Sequence, residues 1–119
     1  MSPRPISVPD DYFVMADETV SMLRKTLDAF VNMDSAVAFE VLREDDRIDL
    51  KKHKLHRDFE ERLKTDQDHS SAFTHLFLVS RHLERIADHA TNIAEDVIYM
   101  VTGEIVRHGR VEDLSSADR

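Results

Sequence analysis

The longest regular pattern of apolar positions in the chain runs from Ser71 to Val106. Apolar residues return here at alternating steps of three and four, the spacing of one helix face packed against other helices. These positions are Leu76, Val79, Leu83, Ile86, Ala90, Ile93, Val97 and Met100. The stretch contains no proline and reaches a glycine only at Gly103. The pattern therefore predicts one helix, about 50 Å long at a rise of about 1.5 Å per residue.

Two further segments with the same spacing predict two more helices. The first covers about residues 11–32. Its seam positions are Phe13, Ala16, Val20, Leu23, Leu27 and Phe30. The second covers about residues 35–64, and Asp34 or Ser35 is expected to cap its start. Its seam positions are Ala38, Val41, Ile48, Leu55 and Phe59. Three helices joined by short turns predict an all-α fold, an antiparallel up-down-up three-helix bundle with long helices.

The two ends of the chain lack this pattern. Residues 1–9 contain all three prolines of the chain, and they are predicted to be an extended, linker-like segment. Such an opening is typical of a chain that begins inside a longer protein. Residues 109–119 are predicted to be a polar tail. A chain of 119 residues is expected to form one domain, and the bundle is placed at residues 10–108.

The charge balance limits the classes of partner. The formal net charge of −8 disfavours nucleic-acid binding, which needs clustered Lys and Arg, and is compatible with cations and basic partner surfaces. The chain has no cysteine, so it has no disulfide and no thiolate metal site. No apolar run reaches the roughly 18 residues of a membrane span, and the N-terminus lacks the apolar core of a signal peptide. A cytoplasmic protein is expected.

Two pairs of carboxylates recur at a spacing of four residues on neighbouring predicted helices. Asp45 and Asp49 form one pair and Glu84 and Asp88 the other, so each pair lies on one helix face. Carboxylates that converge from two helices would form an oxygen-rich site of the kind that hard divalent cations prefer. The alternative is that each pair belongs to a solvated acidic face balanced by neighbouring arginines. Spacing alone leaves both interpretations open.

Other catalytic signals are weak. His75, His82 and His89 recur every seven residues, and they are interpreted as half-exposed rings that cover apolar surface beside the seam. The chain contains no Glu-x-x-His, no His-Glu-x-x-His and no glycine-rich phosphate loop. The sequence therefore predicts a protein that is not an enzyme.

The third predicted helix also carries a longer resemblance. The segment RHLERIADHATNIAEDVIYMVTGEIVRH resembles the last helix of the phosphate-uptake regulator family, PhoU, whose ExxxD motif reads here as Glu84 to Asp88. The segment LREDDRID resembles the second-helix motif of the same family. The resemblance spans about residues 10–108 and covers one three-helix unit, of the C-terminal type. Members of the family commonly carry two such units in tandem.

The resemblance implies a metal site. The E(D)xxxD motifs of the family bind metal ions on the bundle surface, in some members as multinuclear iron clusters. Carried over by position, the implied ligands are Asp45, Asp49, Glu84 and Asp88, with Glu44 as a lesser candidate. The ion would be a divalent metal such as iron, zinc, manganese or magnesium.

The resemblance also implies a function. It implies a cytoplasmic regulator of phosphate transport and phosphate-starvation signalling, which acts by contacts with a phosphate-sensing histidine kinase and with the ATPase of the phosphate ABC transporter. Because one unit is present where the family commonly has two, the chain is expected to form a homodimer. The alternatives are a carboxylate-bridged metal enzyme and a plain helical scaffold or dimerisation module.

Overall fold

The structure is a computed structural model that describes the backbone of residues 6–107 and 110–112 and the side chains of residues 6–47 and 52–106. Its elements are α1 (Asp10–Asn32), α2 (Ser35–Thr65), a single 3₁₀ turn (Gln67–His69), α3 (Ser70–Thr102), β1 (Ile105–Arg107) and β2 (Arg110–Glu112). Each of the three helices packs against the other two. The predicted all-α three-helix bundle is therefore confirmed.

The helices run antiparallel in the predicted up-down-up order. At one end of the bundle the Arg62 guanidinium, late in α2, lies 5.5 Å from the centre of the Phe73 ring, early in α3. Tyr12, early in α1, reaches the same end of α2. Burial raises the pKa of the Tyr12 phenol above its usual value, the charge of Asp58 raises it further, and Arg62 opposes the shift.

The turn between α1 and α2 is closed by backbone geometry and one cap. Met33 has a φ of 50°, in the left-handed region, and its N–H donates to the carbonyl of Phe30 at 3.2 Å. The carboxylate of Asp34 then accepts from the Val37 N–H at 3.2 Å. Asp34 is thus the cap of α2, one of the two residues that the sequence predicts for this role.

The buried side of α1 is shifted from the predicted seam. Its buried positions are Tyr12, Met15, Thr19, Met22, Thr26 and Ala29. Four positions of the predicted seam are exposed instead: Phe13, Val20, Leu27 and Phe30. The seam prediction for α1 is therefore wrong, because this helix carries two adjacent stripes at the same spacing and the period does not say which one faces the bundle.

The hydroxyl groups in this core are satisfied within their own helix. Thr19 donates to the Met15 carbonyl and Thr26 to the Met22 carbonyl, both at 2.8 Å. A buried hydroxyl without a partner would destabilise the fold, so these bonds allow a partly polar stripe to be buried.

The core side of α3 departs from the predicted seam in the same way. Its buried positions are Phe73, Ser80, Ala87, Ala90, Thr91, Ala94, Val97 and Ile98. Only Ala90 and Val97 of the predicted seam are among them, whereas Val79, Ile86 and Met100 are exposed. The alanines allow the neighbouring helices to approach closely.

The predicted core of α2 agrees better with the structure. Ala38, Val41 and Leu55 are buried as predicted, and Phe59 is half-buried. The side chain of Ile48 lies outside the described residues.

A short hairpin follows the third helix. The helix ends at Gly103, whose φ of 75° stops it and whose N–H donates to the Tyr99 carbonyl at 2.8 Å. β1 then pairs antiparallel with β2, and Val106 is buried against the bundle. The apolar pattern did not predict this pairing. None of the helices in the described part of the chain is long and apolar enough to cross a membrane.

Met33→Gly is expected to raise the free energy of unfolding by about 0.5–1 kcal/mol, because glycine adopts the left-handed conformation without strain at Cβ. Urea unfolding followed by circular dichroism measures the change. Met33→Ala is the control, since alanine keeps the Cβ and gains nothing from this source. Equal effects of glycine and alanine would show that the turn is not strained.

Candidate functional site

Glu44, the lesser ligand candidate, faces α1. Its carboxylate forms an ion pair with the Lys25 ammonium group, and the side chain is 18 % exposed. A surface depression of about 170 Å³ beside it is lined by Glu18, Ser21, Glu44 and Arg47. Glu44 is therefore directed to the α1 side of α2.

Glu84 is more enclosed than Glu44. Its side chain is 12 % exposed and projects from α3 toward α2. One carboxylate oxygen lies 3.1 Å from Nε2 of His56, and the other lies 3.4 Å from the Lys52 ammonium nitrogen. A half-buried carboxylate needs such partners, because loss of hydration is compensated only by hydrogen bonds and opposite charge.

An aromatic stack fixes the position of His56. Its ring lies 5.0 Å from the Phe77 ring, and Phe77 in turn stacks on Phe59 at 4.4 Å with an interplanar angle of 15°. The imidazole is therefore held between an apolar wall and the carboxylate of Glu84. This contact joins the aromatic part of the α2–α3 interface to its charged part.

The remaining predicted ligands have different surroundings. Asp88 is exposed on α3, and Asp45 is half-buried and interacts with other groups in the chain. The backbone of Asp49 lies in α2, but its side chain is outside the described residues. Among the side chains that the structure describes, no three His, Asp or Glu residues lie close enough to hold a metal ion. Because Asp49 belongs to the predicted site, the site as a whole stays a prediction.

The register between α2 and α3 shows which backbone positions lie at the same level. Glu84 lies between Lys52 and His56 of the antiparallel helix. One turn further along α3 therefore corresponds to one turn back along α2. This places Asp88 opposite about residues 48–52, the turn that contains Asp49. Asp49 and Asp88 thus lie at one level of the groove, and Glu84 lies about one turn, roughly 5 Å, away from that level.

Lys52 and His56 are neighbours of Glu84 that the sequence pattern did not predict. Lys52 lies four residues after Ile48 and three before Leu55, so it continues the seam of α2 at a position where a charge needs a partner. That position was the available signal, since a lysine on the packed side of one helix favours a carboxylate on the facing helix. Lys52 lies 3.4 Å from one carboxylate oxygen of Glu84, so a cation at that oxygen would have to displace it.

A second surface depression lies at the far end of the bundle. It has a volume of about 490 Å³ and is lined by Glu95, Asp96, Tyr99, Ile105 and Val106, between the end of α3 and the hairpin. Like the depression beside Glu44, it opens on the surface of the described part. Neither depression contains the predicted metal ligands Asp45, Glu84 and Asp88 among its lining residues.

The arrangement defines a small all-α bundle whose charged groups are paired across helix interfaces. Residues 14–97, more than half of the chain, match the PhoU domain, and the chain therefore belongs to the PhoU family. The resemblance seen in the sequence is confirmed by this match. It covers most of α1, all of α2 and α3 as far as Val97.

Curated relatives give the same family. The chain is 35 % identical over 96 residues to a phosphate-specific transport system accessory protein PhoU homolog of Burkholderia sp, covering 81 % of this chain and 41 % of that protein. A homolog of the same name from Pseudomonas putida is 37 % identical over 94 residues, covering 79 % and 37 %. PhoU homolog 1 of Thermotoga maritima is 34 % identical over 90 residues, covering 76 % and 39 %.

The chain spans only about two fifths of the length of these relatives. No solved structure matches it with comparable significance. The family membership thus applies to one helical unit of a protein type that is more than twice as long.

Glu84→Gln is expected to lower the free energy of unfolding by about 1–3 kcal/mol, because Lys52 and His56 would remain half-buried opposite a neutral amide. Chemical unfolding of the two proteins at the same pH measures the loss. Glu60→Gln, an exposed position on α2, is the matched control and should stay within about 0.5 kcal/mol of the parent. Similar losses for both variants would show that the Glu84 contacts contribute nothing.

Proposed function

We propose that this chain is a regulatory unit of a phosphate transport system and that it acts by protein–protein contact. The observation that carries the proposal is the family match along all three helices. Each of the relatives is named an accessory protein of a phosphate-specific transport system. Since the chain covers only part of those proteins, the role is proposed for the helical unit that they share.

The proposed partners are a phosphate-sensing histidine kinase and the ATPase of a phosphate ABC transporter, and the proposed location is the cytoplasm. The physical properties of the chain support contacts of this kind. Three helices of 23 to 33 residues provide long, stiff surfaces. A net charge of −8 favours partner surfaces that carry Lys and Arg, and such attraction speeds association.

A regulatory role without catalysis is also part of the proposal. The relatives are named accessory proteins, which supports it. In addition, Glu44 and Glu84 are each engaged by a lysine, so neither carboxylate is placed as a free general base. No specific observation favours the metal-enzyme alternative.

Binding to the two proposed partners is directly measurable. The purified chain is expected to bind the immobilised transporter ATPase or the cytoplasmic part of the kinase from the same organism, and to bind at least tenfold more weakly at about 500 mM than at about 50 mM salt because charge attraction is screened. Biolayer interferometry measures both affinities. The ATPase of an unrelated ABC transporter is the control. Failure to bind either partner at low salt would overturn the proposed role.

A divalent metal ion is proposed as a ligand of the groove between α2 and α3. Asp49 and Asp88 would be the primary ligands, and the pairing of Glu84 with Lys52 and His56, one turn away, supports this choice. Glu84 would join them only if Lys52 moved aside, and Asp45 would lie at the other end. Glu44 is the weakest candidate, since it faces α1 and pairs with Lys25. Iron, zinc, manganese and magnesium all accept carboxylate ligands.

Titration calorimetry with Mn²⁺, Fe²⁺ and Zn²⁺ tests this site. Asp49→Asn combined with Asp88→Asn is expected to weaken binding by at least tenfold, because both primary carboxylates are lost. Lys52→Gln is expected to strengthen binding a few-fold, because it removes the cation that competes for Glu84.

Asp17→Asn is the control for the titration, because Asp17 is an exposed carboxylate of α1, away from the groove. It should leave the metal affinity unchanged. Equal affinities of the parent and the Asp49/Asp88 double variant would rule out the site, and so would the lack of any heat of binding in the parent.

A further inference from the structure

Two helices expose apolar stripes on their surfaces. The side chains concerned are between 38 % exposed, at Ile86, and 57 % exposed, at Phe13. They are Phe13, Val20, Leu27 and Phe30 of α1 and Val79, Ile86 and Met100 of α3. On each helix they are spaced by three, seven or fourteen residues, which places them along one side. Each helix thus carries a second apolar stripe beside the one that it buries in the bundle.

Contacts with α2 show where these stripes lie. The Lys25 side of α1 faces α2, because Lys25 pairs with Glu44. Successive residues of a helix are rotated by about 100° around its axis. Around the circumference of α1, starting from Lys25, the buried seam comes first and the stripe that contains Val20 comes second, on the side toward α3. On α3, Glu84 marks the side that faces α2. Around the circumference of α3, starting from Glu84, the buried seam comes first and the stripe that contains Ile86 comes second, on the side toward α1.

The two stripes therefore border the same groove, between α1 and α3, and form one continuous surface. We call the seven side chains named above the α1/α3 face. Its position is opposite to α2, and it includes neither the Glu84 cluster nor the carboxylate of Glu44.

The composition of this face is unusual for a surface in contact with water. On α1 half of the buried seam consists of large side chains, and the other half is Thr19, Thr26 and Ala29, whereas the exposed stripe consists of large aliphatic and aromatic residues. The exposed stripe is thus at least as apolar as the buried one. Contiguous apolar surface of this extent marks a site of protein association.

The area of the face is sufficient for a dimer. α1 has 23 residues and is therefore about 35 Å long. Two adjacent helices together are about 20 Å wide, so the face covers roughly 700 Å². Stable protein–protein interfaces of standard size bury about 800 Å² on each partner. The α1/α3 face is therefore as large as one side of a specific interface.

The charges at the outer edges of the face are complementary to those of a second copy. Val20 lies near the middle of α1, with the exposed residues Asp17 and Arg24 on either side of it. A two-fold axis at this level, perpendicular to the helices, runs α1 antiparallel to the α1 helix of the partner. It places Asp17 of one protomer beside the partner's Arg24.

The same axis is compatible with the polar residues of α3. Ile86 is the middle residue of this helix, and His75 and Asp96 lie at nearly equal distances before and after it. Reversal about Ile86 places the His75 ring close to the partner's Asp96, to whose carboxylate a ring N–H can donate. The charge pair of Asp17 and Arg24 is thus self-complementary in this two-fold arrangement, which favours a second copy over an unrelated partner.

We propose that the α1/α3 face is the interface of a homodimer in which two copies of this chain pack antiparallel, with Val20 and Ile86 close to the two-fold axis. The apolar side chains of Phe13 and the partner's Leu27 then cover one another. This assignment of a surface and a register does not depend on the proposed role in phosphate transport, since it uses only exposure, charge and helix geometry.

The mass of the protein in solution tests the interface. Sedimentation equilibrium of the full chain between about 1 and 100 µM is expected to give twice the chain mass of 13.8 kDa. Val20→Glu is expected to weaken the dimer by at least a hundredfold, because two carboxylates would meet in the apolar contact near the axis.

Val14→Glu is the matched control for this substitution. Val14 is 40 % exposed, close to the 45 % of Val20, but it lies on the other side of α1, outside the face. Helix content measured by circular dichroism checks that both variants remain folded. A monomeric parent over the whole concentration range would overturn the proposal and assign the face to a different protein. A Val20→Glu protein that still dimerises like Val14→Glu would also overturn it.

A charge exchange tests the register. Asp17→Arg and Arg24→Asp are each expected to weaken the dimer about tenfold, because like charges would then meet across the axis. The double variant should recover most of the parent affinity. The two positions are seven residues apart on their own helix, about 10 Å, so recovery requires contact between copies. If the double variant is as weak as the sum of the single changes, the antiparallel register is wrong.

Discussion

The choice of which apolar stripe each helix buries determines the rest of this structure. In α1 the buried stripe combines Met15 and Met22 with Thr19 and Thr26, whose hydroxyls donate to carbonyls one turn back in the same helix. In α3 the buried stripe includes Ala87, Ala90 and Ala94 beside larger side chains. The small residues let the helices approach closely, and a second set of large apolar side chains stays on the outside. The core and the apolar outer surface therefore both follow from which stripe each helix buries.

The second helix organises the charges. It directs Glu44 toward Lys25 of α1, and it directs Lys52 and His56 toward Glu84 of α3. In a chain with an excess of eight negative charges, Lys25 and Lys52 lie where they neutralise half-buried carboxylates. If the proposed metal ion binds in the groove, Lys52 competes with it for the carboxylate of Glu84.

Sequence pattern predicted the helices well because their limits depend on local signals. The predicted spans 11–32 and 35–64 differ from Asp10–Asn32 and Ser35–Thr65 by one residue at most, and Asp34 supplies the cap. The pattern did not predict which side of α1 and of α3 is buried. Each of these helices carries two adjacent apolar stripes with the same period, and only tertiary packing decides between them. The pattern also missed the contact of Lys52 and His56 with Glu84, since the register between helices is not encoded in the period of either one. The strand at Ile105–Arg107 was missed because three residues are too few to show an alternating pattern.

The groove between α2 and α3 and the α1/α3 face lie on different sides of the bundle. Helix α3 belongs to both, but it uses opposite sides: Glu84 and Asp88 point to the α2 side or to solvent, and Ile86 points away from α2. In the proposed dimer each α2 helix lies far from the two-fold axis. Both acidic grooves would then remain accessible, one on each protomer, and related by the symmetry of the pair. Self-association and the proposed binding of a cation or a basic partner would therefore use separate surfaces, so that a dimer would present two copies of the groove at a fixed distance.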